Sequence, residues 1–397
     1  MVSSNHNRII TPLIKTSIEI FNATYGKLYP FVLDIRIVGD SVPHLKWLKL
    51  RSWKLIPWFA HLIFVLGFTI IASGYSLLNT FSQPGRQLQL LEITHYTFWS
   101  CAWIFQLTIS KTIISYPEIV PSFNYFFDHM CHQSFIRRHK DLDVPGLLLV
   151  YYILSSIFAI LPFPAFVVAL NLDYYHILFE RFLLSTPYDR DTITIVFTTG
   201  IYIVLMFAAI LEFVRIFSVT LMVVLLIGLG LQTCLESLLL RNYSERFTYA
   251  YYTYLRIIGT RLEDFVSSIT LQCITLCLCA LTTSSWMIIR GSRFLPIFCT
   301  LFAFIVFFGG LSFTIFFLRT AAKCRQLSCD LIDRKNRLYF SHNLKRCTYY
   351  YTVKWRAQKS LRVTCGDTRY VVDRKSPIDY LSVVMSCTTN AVLLVVP

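Results

Sequence analysis

Apolar residues along the chain fall in long runs separated by short polar punctuation, a pattern that neither a soluble helix stripe nor an alternating strand produces. Runs of this kind occupy residues 55–79, 91–110, 145–170, 193–235, 265–289, 294–318 and 377–396. A helix crosses a hydrocarbon core of roughly 30 Å with about 20 residues, so the pattern predicts seven transmembrane helices. The second run is bracketed by Glu92, His95 and Lys111, and the third carries Pro162 and Pro164, which bend a spanning helix without excluding it. The fourth run is about 40 residues, nearly 60 Å of helix, twice what one crossing needs. Its only polar break is Glu212 with Arg215, three apart on one helical face and with no Gly, Pro, Asn or Asp beside them to reverse the chain. One long helix at about 193–240, projecting beyond the membrane, is the expectation.

Lys and Arg set the orientation. Of the 37 in the chain, 30 fall in the N-terminal segment and in the connections between spans 2 and 3, 4 and 5, and 6 and 7; Arg86, Arg181, Arg190, Arg290 and Arg293 alone fall on the other side. The positive-inside rule places the N-terminus in the cytoplasm and the C-terminus outside. This is the reverse of a G-protein-coupled receptor, and neither a DRY-like nor an NPxxY-like motif is present. The expected fold class is an all-α integral membrane protein with seven transmembrane helices. Its parts are a cytoplasmic segment 1–54, spans one to six over 55–319, a cytoplasmic anchor segment 320–375, and a seventh helix over 376–397.

Composition agrees: 55% hydrophobic, 15% charged, and no basic n-region followed by an apolar h-region and cleavage site near the start. These numbers exclude a soluble enzyme, a disordered chain and a cytosolic nucleic-acid binder, and the net charge of +15 is read as flanking the membrane and not as a nucleic-acid surface. The 12 Cys lie in apolar runs or in segments read as cytoplasmic, where thiols stay reduced, so no structural disulfide is expected. The sequons Asn22-Ala-Thr24 and Asn242-Tyr-Ser244 fall on the cytoplasmic side and should stay bare. Asp128, His129, Cys131, His132 and His139 cluster between spans two and three without metal-ligand spacing. No Walker loop, GxSxG, HExxH or inverted repeat is present, so no cofactor and no enzymatic activity are expected.

Residues 320–397 are the most informative. A basic helical stretch of about 40 residues, with Leu327, Leu331 and Leu338 at helical spacing, precedes a polar passage from Gly366 through Val372, Asp373 and Arg374, and a last helix ends the sequence. This arrangement resembles the C-terminal end of the insect gustatory and odorant receptor superfamily, and the length, span count, internal N-terminus and long fourth helix agree with it. The gustatory branch closes on TY, five apolar residues, then QF. Here Thr389 and Asn390 are followed by Ala391 to Val395, then Val396 and Pro397, so the spacing is kept while Tyr, Gln and Phe are lost.

The resemblance implies a chemosensory receptor at the plasma membrane of sensory neurons, acting as a ligand-gated, weakly selective cation channel. It would assemble as a homotetramer or as a heterotetramer with a co-receptor, in contact with membrane lipid and gated by a small-molecule tastant or odorant. The seventh helices would line the pore, with Thr388 or Thr389, Val392 and Val396 along one stripe. The ligand pocket would lie in the outer half of the bundle, where Tyr96, Trp99, Trp103, Phe166, Phe197, Tyr202, Trp286, Phe298 and Phe302 supply large side chains. The residues by themselves leave two alternatives open: a seven-helix receptor signalling without a pore, and a membrane transporter.

Overall fold

The computed structural model describes residues 10–26, 30–39, 42–49, 52–63, 67, 74, 104–132, 146–147, 149–151, 153, 192–241, 243–289, 297–340, 353–365 and 370–393. The side chains of 131–132, 192–203, 205–206, 209–210, 298–299, 302 and 338–340 lie outside that set.

The N-terminal segment is folded. Helix α1 (Pro12–Tyr25) begins with Pro12 at its first position and with Thr11 as cap, whose hydroxyl accepts from the Ile14 amide at 3.1 Å. Ile14, Ile18, Phe21 and Tyr25 recur at helical spacing and form its buried face. A hairpin comes next, β1 (Leu33–Val38) antiparallel to β2 (Val42–Trp47), with Gly39 at φ 63° beginning the turn. This departs from the all-α expectation. Leu33, Ile35 and Ile37 alternate with Asp34 and Arg36, a period of two that suits a strand with one face on a core.

An asparagine amide engages each edge of the hairpin. Asn22 Nδ2 donates to the Ile35 carbonyl at 3.0 Å. Across β2, Asn124 accepts from the Leu45 amide at 2.7 Å and donates to the Leu45 carbonyl at 2.9 Å, as a third strand would. Asn124 belongs to α3 (Ile119–His132), and His44 Nε2 meets Asp128 Oδ1 of the same helix at 2.8 Å. The segment is thereby tied to the bundle, while Asn22 of the first sequon is engaged inside the segment, between α1 and β1. Between the hairpin and α3, the helix α2 (Ile56–His61) opens the first apolar run.

Three long helices form the frame of the bundle. The fourth apolar run is a single helix, α4 (Thr192–Leu240), of 49 residues; α5 (Glu245–Ile289) has 45 and α6 (Ile297–Phe340) has 44. A short turn joins α4 to α5, where the Ser244 hydroxyl of the second sequon accepts from the Phe247 amide at 3.3 Å. Glu212 and Arg215 stay inside α4 as an ion pair of 3.5 Å, both buried, with Arg215 5.1 Å from the Phe31 ring centroid of the N-terminal segment. The polar break therefore docks the segment and does not turn the chain. At Gly230 an added Cβ would lie 2.7 Å from the Phe126 ring, so the missing side chain lets α3 approach α4. His129 stacks on Tyr251 at 5.5 Å between ring centroids and lies tilted against Tyr254 at 4.3 Å.

Among the described residues three helical stretches are long and apolar enough to cross a membrane: Leu211–Leu240, Glu245–Ile289 and Ala303–Arg337. The sixth apolar run continues unbroken into the basic stretch as one helix, α6, on which Leu331 is fully buried and Leu327 half-buried. Lys323 pairs with Glu236 at 2.8 Å, Lys335 with Glu245 at 2.7 Å, and Arg334 donates to the Leu239 carbonyl at 2.6 Å. The basic residues of α6 thus close the α4–α5 turn from outside.

Candidate functional site

The end of the chain is built on this frame. Trp355 is buried against Tyr249 and Tyr252 of α5. Tyr252 donates to the Lys359 carbonyl at 2.9 Å, and Ser328 of α6 accepts from the Leu361 amide at 2.7 Å, so the segment lies in the α5–α6 groove. Thr364–Cys365 (β3) then pairs antiparallel with Tyr370–Val371 (β4), which brings Asp373 back beside α6. Here again the polar passage is not helical: the Val372 amide donates to the Val363 carbonyl at 3.0 Å to close this second small hairpin.

Asp373 starts the last helix, α7 (Ser376–Leu393). Its Oδ1 accepts from the amides of Lys375 at 2.9 Å and Ser376 at 3.1 Å, while Ser376 Oγ accepts from the Asp373 amide at 2.9 Å. The Ile378 and Asp379 amides reach the Lys375 carbonyl at 2.8 and 3.0 Å, and Pro377 has no N–H, so every donor of the first turn is accounted for. Arg325 of α6 lies 3.9 Å from Asp373 Oδ2, and Arg374 Nε donates to Gln326 of α6 at 2.8 Å. The Lys375 hydrogen bond first of all, with help from Ser376 and Arg325, holds the Asp373 carboxyl below the usual range against the opposing effect of desolvation. The Val372-Asp373-Arg374 passage singled out in the sequence is therefore the joint between α6 and α7.

From that joint α7 rises with two unlike faces. Tyr380 and Val384 are buried in a cluster with Leu281 of α5 and Leu318 and Ala321 of α6, and Tyr380 donates to the Ile274 carbonyl at 3.4 Å. The opposite face, Ser382, Val383, Met385, Ser386, Thr389, Asn390 and Leu393, is exposed. Ile378 and Asp379, at the start of the helix, are exposed as well. α7 is not one of the three long apolar stretches: its open face alternates hydroxyl and amide groups with Val, Met and Leu.

Of the residues expected to line a pore, Thr389 is on the open face and its hydroxyl donates to the Met385 carbonyl at 2.9 Å. Thr388, about 100° round the helix, is half-buried, with its hydroxyl enclosed and unpaired among the described residues. Val392 is half-buried on the same flank as Thr388, and Val396 lies outside the described residues. Ser382, Ser386 and Leu393 were not singled out from the sequence; their spacing of three or four with Thr389 was the available signal.

Of the residues expected around the ligand, Trp286 is 5% exposed on α5, and its indole N–H has no partner among the described residues. Phe197 and Tyr202 lie on α4, and Phe298 and Phe302 on α6, with side chains outside the described set. Tyr96, Trp99, Trp103 and Phe166 lie outside the described residues.

No protein-family model matches the sequence, and no curated protein matches it. The fold has solved counterparts. The insect olfactory receptor OR5 from Machilis hrabei superposes over 96% of this chain and 97% of its own, with a TM-score of 0.54 at 12% identity. The same receptor in complex with eugenol matches over the same shares at a TM-score of 0.52 and 12% identity. The class of fold is thus that of an insect olfactory receptor, with helices apolar enough to span a membrane.

Proposed function

We propose that the chain is a chemosensory receptor of the plasma membrane that works as a ligand-gated, weakly selective cation channel. It crosses the membrane seven times, with its N-terminus in the cytoplasm and its C-terminus outside, and assembles as a tetramer, alone or with a co-receptor. The observation that carries this reading is α7: one face packed on α5 and α6, the other uncovered and lined by Ser382, Ser386, Thr389 and Asn390. Such a face is costly against lipid tails and natural against water. Around a central axis these groups would meet hydrated cations, Asp379 at the base would draw them in, and Val392, Leu393 and Val396 would form an apolar constriction that gates by dewetting.

A small organic molecule opens this gate. The solved relative binds eugenol, and here the buried Trp286 offers an aromatic wall and an N–H without a partner among the described residues, the usual mixture for a small-molecule pocket. The test is whole-cell recording from cells expressing this chain at the surface, while eugenol, other volatiles, sugars and bitter compounds are applied. The expected result is an evoked current carried by Na⁺ and K⁺ alike. A surface-expressed chain that binds a ligand without passing current would point instead to a receptor signalling without a pore.

A further inference from the structure

Trp286 lies about 40 Å along α5 from a second feature of the bundle. Between α4, α5, α6 and residues 359–364 is a cavity of 490 Å³. Its floor is apolar: Leu225, Ile227 and Leu231 of α4, Val266 of α5 and Phe317 of α6. Its mouth is cationic, with Arg256, Lys359 and Arg362 around the single carboxylate of Glu263. Glu263 already accepts from the Thr364 hydroxyl at 3.3 Å, and Arg256 is held by Gln358 at 2.7 Å. Lys359 and Arg362 are exposed and form no ion pair among the described residues.

The floor lies within the apolar runs of α4 and α5, and Arg256 and Glu263 precede the α5 run, so the cavity straddles the border of the apolar zone. A pocket greasy within and doubly positive at that border fits an amphiphile with an acyl chain and a phosphate head. We propose that it binds one acidic phospholipid per chain, with the acyl chain on the floor and the phosphate on Lys359, Arg362 and Arg256. Basic pockets between helices on the cytoplasmic side take lipid phosphates in this way. Only the choice of leaflet rests on the topology proposed above. A lipid seated here would touch the Leu361–Thr364 segment that leads to the α6–α7 joint.

The experiment titrates purified full-length protein in detergent with dioctanoyl phosphatidic acid and counts bound lipid by native mass spectrometry. One saturable molecule per chain is expected. Lys359→Gln with Arg362→Gln should weaken it about 30-fold, the effect of two interfacial cations. Arg261→Gln with Arg337→Gln removes two exposed cations away from the cavity and should leave affinity within about threefold. Dioctanoyl phosphatidylcholine and glycerol 3-phosphate should each bind at least about tenfold more weakly, since one lacks the exposed anion and the other the chains.

Equal weakening by both double variants would replace the site with diffuse surface attraction and overturn the proposal. So would equal binding of glycerol 3-phosphate, which would make the site one for a free phosphate. An absence of one-per-chain binding in variants and wild type of native thermal midpoint would also refute it, including the case in which a neighbouring chain fills the cavity. None of these outcomes depends on conduction, which the evoked current tests separately.

Discussion

Asp373→Ala isolates the joint between α6 and α7. The substitution removes the acceptor for the Lys375 and Ser376 amides, which are 2.9 and 3.1 Å away, and leaves the first turn of α7 with unmet donors. Loss of a side-chain cap costs about 1 kcal/mol, and loss of a negative charge beside a helix N-terminus about 0.3–1 kcal/mol. The Arg325 contact, 3.9 Å and with both side chains more than a third exposed, adds a few tenths of a kcal/mol at most. The sum, about 1.5–2 kcal/mol, is local, so amide exchange across residues 373–380 should rise about 10- to 30-fold at neutral pH.

Asp373→Asn keeps an acceptor but not the charge and should show less than half of that rise. The pH dependence has a definite sign. The folded-state carboxyl titrates below its ordinary value, so its contribution is complete above that value and fades as pH falls through the lower, folded one. Wild type and Asp373→Ala should therefore converge in acid. Hydrogen–deuterium exchange with mass spectrometry measures this directly. Unchanged exchange over 373–380, or an equal rise in the distant α3, would refute the role given to this residue.

Asn124→Ala strands the Leu45 amide and carbonyl and should cost about 2 kcal/mol, read as faster limited proteolysis of residues 26–55 with α4–α6 intact; unaltered cleavage would show that the hairpin is held by other contacts. Trp286→Ala should raise the half-maximal concentration of the activating ligand at least about tenfold, with surface expression preserved, and an unshifted dose–response curve would remove Trp286 from the pocket.

How much of this was legible in the sequence differs by element. The long fourth helix was, because Glu212 and Arg215 at a spacing of three can pair along one helix whereas a turn needs different residues. The course of the basic stretch on α6 was partly legible, with Leu331 marking the buried side. The N-terminal hairpin was not foreseen, although Leu33, Ile35 and Ile37 carried a period of two; six residues between polar neighbours are easily passed over beside runs of 25. The joint was visible as a composition and not as a mechanism, since Asp373 acquires its meaning from Arg325 and Arg374 from Gln326, each nearly 50 positions earlier. On α7 the sequence offered a helix but not its rotation. Whether Thr388 or Thr389 faces outward depends on where Tyr380 and Val384 seat, and that is decided by Leu281 and Leu318 of other helices.

The central claim is that the uncovered face of α7 borders the ion path. Ser386→Cys and Thr389→Cys place thiols on that face, and Val384→Cys places one in the packed cluster. Each is expressed, opened by ligand and exposed to a small cationic methanethiosulfonate reagent from the aqueous side, with the native cysteines as background. The account predicts that the evoked current is blocked irreversibly at Ser386→Cys and Thr389→Cys, faster when ligand is present, and that Val384→Cys behaves as wild type. Normal currents that the reagent leaves untouched at both open-face positions, or blocks equally at Val384→Cys, would contradict it.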